Sequence, residues 1–132
     1  MTIRNFITFQ GEFPDDAQWS PEGDPLVPAG KNVAGAIIAA LRQRQLEAAE
    51  PEQHSFYGWA FEAAGYWCML QQPDQWLLMV EDRSSFFKKA LKGDDVARSF
   101  QTFLEALVSV LQADARFSNV HSYTRAEYES VH

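Results

Sequence analysis

Residues 54–81 run HSFYGWAFEAAGYWCMLQQPDQWLLMVE, and they read as three consecutive β-strands. In HSFYGWAFEA, Tyr57, Trp59 and Phe61 fall on one face, and Phe56 and Ala60 on the other, the period of two that a strand imposes. A turn around Ala63, Ala64 and Gly65 leads into YWCMLQQ. Proline followed by aspartate suits the two central positions of a type I turn, so Pro73 and Asp74 connect that strand to QWLLMVED. Short connections of this kind make an antiparallel meander the economical topology. The third strand is apolar on both faces, with Trp76, Leu78 and Val80 on one and Leu77 and Met79 on the other. It belongs in the middle of a sheet.

Upstream, helical spacing takes over between Lys31 and Glu47, where Ala34, Ile37, Ile38 and Leu41 sit at i, i+3, i+4 and i+7. Gly30 and Gly35 match neither phosphate-loop spacing, so this is read as an ordinary loop-to-helix junction. Before it, residues 13–30 hold four of the six prolines, which excludes a helix or a central strand. An ordered loop is expected there, with Trp19, Leu26 and Val27 providing side chains to bury. Residues 3–13, IRNFITFQGEF, place Ile3, Ile7 and Phe9 on one strand face.

Downstream, Ser84 to Lys92 reads as a short helix ended by Gly93. Asp94 or Asp95 then caps a long helix striped with Val96, Phe100, Phe103, Leu104, Leu107 and Leu111. The segment SNVHSYT predicts an edge strand, and Thr124 with Glu127 forms a capping-box pattern for a terminal helix. Residues 1–132 are therefore expected to form a single α+β domain, a two-layer sandwich with an antiparallel sheet of four or five strands and two long helices on one face.

Composition narrows the function. A chain of 132 residues with 46% hydrophobic and 22% charged residues is globular, not a disordered tail or a fibre. Its net charge of −7 argues against gripping a nucleic-acid backbone, although Lys88, Lys89, Lys92 and Arg98 gather near Gly93. No apolar run reaches the roughly 18 residues of a membrane span, and MTIRNFITFQ lacks a secretion signal, so a cytoplasmic protein, mature as written, is expected. Cys68 is the single cysteine and sits mid-strand among large apolar residues, where a buried, inert thiol is expected. Asp15, Asp16, Glu22 and Asp24 crowd the proline loop without calcium-loop spacing, and the histidines, His54, His121 and His132, have no evident nucleophile to serve. Neither a catalytic residue, a metal site nor a cofactor is predicted.

Charge is segregated along the chain. Seven acids and no Lys or Arg lie between Glu47 and Asp82, together with three of the four tryptophans. The first 30 residues add five acids and one arginine, whereas residues 31–46 carry +3 and residues 83–132 carry +1. Acids interleaved with large rings match the steering and anchoring groups of protein–protein interfaces. Asp15, Asp16, Trp19, Trp59, Glu62, Trp67, Asp74 and Trp76 are the candidate contact residues for a basic protein partner. The competing readings are that the rings face inward and the acids only confer solubility, that the rings line a small-ligand pocket or enzyme site between sheet and helices, or that an exposed edge strand mediates a homodimer.

VPAGKNVAGAIIAALRQRQL followed by EQHSFYGWAFEAAGYWCML resembles the helix-then-hairpin core of small bacterial α+β proteins, some of them similar to the immunity proteins that neutralise interbacterial toxins. The resemblance spans residues 28–82 and the long helix after them, as a pattern of residue sizes. It implies a non-catalytic inhibitor that masks the active site of a basic toxin.

Overall fold

The computed structural model of the chain describes residues 2–83 and 94–131. In order, these form β1 (Phe6–Gly11), β2 (Gln18–Trp19), β3 (Pro25–Val27), α1 (Lys31–Gln43), β4 (Glu52–His54), β5 (Gly58–Ala63), β6 (Tyr66–Gln71), β7 (Trp76–Glu81), α2 (Asp94–Ala113), β8 (Phe117–Tyr123) and α3 (Arg125–Val131). The expected short helix over residues 84–92 and its Gly93 cap lie outside the described residues, as do Lys88, Lys89 and Lys92 of the basic cluster.

Six strands, rather than four or five, form one antiparallel sheet in the order β4-β5-β6-β7-β1-β8, and β2 and β3 pair separately as a small ribbon. The additional strand comes from splitting residues 52–63. Ser55 adopts a positive φ of 52°, and the Tyr57 N–H donates to the His54 carbonyl at 3.1 Å, which reverses the chain before Gly58. Phe56 and Tyr57 are consequently turn residues, and Tyr57 does not share the face of Trp59 and Phe61. The β5–β6 turn follows expectation: Ala64 and Gly65 have φ of 52° and 87°, the two positive values of a type I′ hairpin. The doubly apolar β7 lies inside the sheet between β6 and β1.

Register sorts the side chains. Phe9 opposes Trp76, Ile7 opposes Leu78, Leu70 opposes Leu78 and Trp59, and Cys68 opposes Phe61 and Val80, so all of these share one face. They join Val33, Ala34, Ile37, Ile38 and Leu41 of α1 and Phe100, Phe103, Leu104, Leu107, Val110 and Leu111 of α2 in a single buried cluster. Helical residues at three- and four-residue spacing have met strand residues at two-residue spacing, as both patterns require. The third helix lies on the other side. Phe6 projects to the opposite face beside Tyr123, and its ring lies 5.3 Å from that of Tyr128 on α3.

The capping box of α3 is formed: Glu127 accepts from the Thr124 N–H at 2.7 Å, and the Thr124 hydroxyl accepts from the Glu127 N–H at 3.1 Å. Arg4 adds an ion pair to the same carboxylate at 3.0 Å, and its guanidinium, helped by the Thr124 amide, holds the Glu127 carboxyl below its ordinary range. The edge strand β8 is irregular. Its register with β1 shifts between Thr8 and Gln10, next to Asn119 with a φ of 52°, an irregularity of the kind that discourages edge-to-edge pairing.

Candidate functional site

The proline loop ahead of α1 is held by hydrogen bonds spread along its length. α1 begins after Gly30, which has no side chain to cap it, and no acid stands in its first turn. Asp16 takes that role from a distance: its carboxylate accepts from the Gly30 N–H at 2.8 Å and the Asn32 N–H at 2.9 Å. The Asn32 side chain donates back to the Pro14 carbonyl at 2.7 Å, and the Trp59 indole N–H donates to the Pro28 carbonyl at 3.0 Å. Gly30 itself has a φ of 121°, and a methyl group there would lie 2.9 Å from the Trp76 ring, so only glycine permits this junction. Asp16→Ala is expected to lower stability by about 1–2 kcal/mol, the usual cost of losing a helix cap, as read by urea unfolding.

These bonds present the β2–β3 ribbon outward. Trp19 is 62% and Leu26 50% exposed, so the expectation that they are buried is corrected. A two-residue strand paired with a three-residue strand is too small to enclose a tryptophan. Only Val27 of the three packs against the core. Beside the ribbon stands the β4–β5 turn, where Phe56 is 59% and Tyr57 69% exposed. Gln53 links the two, because its side-chain amide donates to the Leu26 carbonyl and to the Ser55 carbonyl, each at 2.9 Å. Four of the five large hydrophobic residues exposed among the described residues thus project from the β2–β3 ribbon and the β4–β5 turn joined to it.

The candidate residues separate into three groups. Asp15, Trp19 and Asp74 lie at the sheet end that carries this aromatic tip, since the β6–β7 turn leaves the sheet where Gln71 pairs with Gly58. Asp16 is there too, but its carboxylate is committed to the α1 amides. Trp59 and Trp76 are corrected as contact residues: they are 6% and 7% exposed and belong to the core. Glu62 and Trp67 oppose each other towards the far end of β5 and β6, four residue steps or about 13 Å along the strand from Gly58. There the Trp67 ring is covered by Arg83, whose guanidinium lies 3.7 Å from it and also binds Glu81 at 3.1 Å. The sequence reading buries Leu26 and places Phe56 and Tyr57 on a strand, so none of the three is among its candidate contact residues. Exposed rings in a turn leave no periodic signal, and only a shift of the strand boundary to His54 reveals them.

Ion pairing sharpens the charge asymmetry. Arg4, Arg42, Arg83, Arg98, Arg116 and Arg125 each pair with a carboxylate. Among the described residues Glu12, Asp15, Glu22, Asp24, Glu47, Glu52, Glu62, Asp74 and Glu105 are in no ion pair, and all but Glu105 precede residue 75.

Between sheet and helices several rings of the described residues pack on one another. Tyr66 stacks on Phe100 and Phe103 at 5.0 and 4.9 Å, and Phe9 meets Phe117 edge-on at 5.2 Å. A surface cleft of about 390 Å³, lined by Gln10, Gln72, Asp74, Gln75 and Trp76 among others, adjoins the tip end. Cys68 is fully buried, and burial pushes its thiol up to about 12, which leaves no thiolate at neutral pH. Among the described residues no three His, Cys, Asp or Glu side chains are placed to share a metal ion, and no helix is long and apolar enough to cross a membrane. The chain matches no family model, no curated protein and no solved structure.

Proposed function

We propose that the protein is a two-layer α+β sandwich acting in the cytoplasm as a non-catalytic acidic binding protein, which masks a basic protein partner. The observation that carries this reading is the tip: Trp19, Leu26, Phe56 and Tyr57 project into water from a ribbon and a turn that Gln53 and the Asp16–α1 bonds hold in place. Exposing large rings costs stability that burial would otherwise contribute, at roughly 25 cal/mol per Å² of apolar surface. Holding them on a pinned scaffold lowers the ordering cost of association. Aromatic residues are the commonest anchors of protein interfaces, and the unpaired carboxylates around them supply long-range attraction for a cationic surface. Residues 28–82 and the long helix after them resemble small bacterial α+β proteins, some of them similar to immunity proteins, and that resemblance supports a class for the partner, an interbacterial toxin with a basic active-site cleft.

An immunity protein is encoded beside the toxin it neutralises, so the experiment is a kinetic one, against the product of the neighbouring gene. Neutralising Asp15, Glu22, Asp24 and Asp74 to their amides is expected to slow association about tenfold at low salt, with a much smaller effect on dissociation. The difference should shrink at physiological ionic strength, where the screening length is about 8 Å. Association that is insensitive to both salt and the four substitutions contradicts the proposal.

A further inference from the structure

We infer that the tip recognises arginine side chains on its partner, an inference that rests on the binding reading above and adds the chemistry of what is bound. The fold contains two completed examples of the arrangement. The Arg83 guanidinium lies 3.7 Å from the Trp67 ring while Glu81 binds it from the side at 3.1 Å. Arg116 likewise lies 4.9 Å from the Phe13 ring while Asp114 binds it at 2.7 Å. In both, a planar cation is held between an aromatic face and a carboxylate, a geometry that suits guanidinium better than the compact, more strongly hydrated ammonium of lysine.

The tip has the same two components and lacks the third. Trp19 is joined to Pro25, its partner across the ribbon, by a turn carrying Glu22 and Asp24, and Tyr57 stands in the turn after β4, the strand that begins with Glu52 opposite Ala60. None of these three carboxylates is in an ion pair with a described residue, and both rings are more than half exposed. Among the described residues, rings without a covering cation and carboxylates without a counter-ion on the same two connected segments are complementary to an arginine-bearing loop. A lysine-rich surface would satisfy the charge but not the ring faces. An apolar partner would leave the acids desolvated and unpaired.

The test uses the whole protein and two synthetic probes, a glycine-spaced tetra-arginine peptide and a tetra-lysine peptide of equal length and charge, with affinities measured by calorimetry. The arginine peptide is expected to bind roughly three- to fivefold more tightly, the contribution of an exposed cation–π contact. In the Trp19→Ala/Tyr57→Ala variant that preference should disappear while weak, salt-sensitive binding of both peptides remains. In the Glu22→Gln/Asp24→Asn/Glu52→Gln variant both affinities should fall together. Equal affinity of the wild-type protein for the two peptides overturns the inference, as does an arginine preference that survives loss of the two rings or an arginine peptide that fails to bind. Those outcomes leave the basic-partner reading standing, because that reading depends on the association kinetics with the neighbouring gene product.

Discussion

Gly58→Ala should lower stability by about 3 kcal/mol or more, beyond the usual range for adding one methyl group. The position opens β5, where the β4–β5 turn delivers the chain back into the sheet. A Cβ built there would lie 1.9 Å from the carbonyl oxygen of Leu70 and 3.2 Å from the Cα of Gln71. The obstacle is backbone, which cannot rotate aside as a side chain can. Relief therefore requires β5 to separate from β6 where Gly58 pairs with Gln71 and Trp59 with Leu70. Trp59 would be drawn from the core, and its bond to the Pro28 carbonyl would be strained with it. Chemical denaturation measures the loss. A change below about 0.5 kcal/mol would mean that this approach of the two strands is wrong.

Leu107→Ala should cost about 2–5 kcal/mol, the range for emptying a fully buried leucine site. Leu107 is 0% exposed on the sheet-facing side of α2, in the same cluster as Ile37 and Leu41 of α1 and Leu78 of β7. A cluster drawn from both helices and the sheet limits how far the site can collapse, which favours the upper part of the range. Urea unfolding with an unchanged m-value is the measurement. A loss under about 0.5 kcal/mol would contradict the packing of α2 on the sheet.

Local patterns carried the architecture. Alternation in residues 58–81 and the Leu104–Leu107–Leu111 stripe encode which faces are apolar, and burial of those faces against each other is the main favourable term in folding. The Thr124–Glu127 box and the Ala64–Gly65 turn could be read because capping and positive φ depend on residues a few positions apart. What could not be read depends on distance or on direction. The Asp16 cap joins residues 14 and 16 positions apart. Its trace in the sequence is negative, a helix starting after a glycine with no acid in its first turn. The tryptophans were ambiguous for a different reason. An indole is both apolar and a hydrogen-bond donor, so composition could not separate Trp59, buried with its N–H on Pro28, from Trp19 in water. The even spread of acids through residues 47–82 also concealed that Glu50 and Glu81 are paired with Arg42 and Arg83 from outside that range.

Acrylamide quenching of Trp19 tests most directly whether the aromatic tip is where a partner docks. Trp19 is 62% exposed, whereas Trp59 and Trp76 are nearly buried and Trp67 is half-buried beneath Arg83. The readily quenched fraction of the emission should therefore belong to Trp19 and vanish in Trp19→Phe. Saturating the wild-type protein with the neighbouring gene product is expected to protect that fraction, as burial of an interface anchor requires. A complex that forms while Trp19 remains as quenchable as in the free protein would contradict the account and move the docking surface away from the tip.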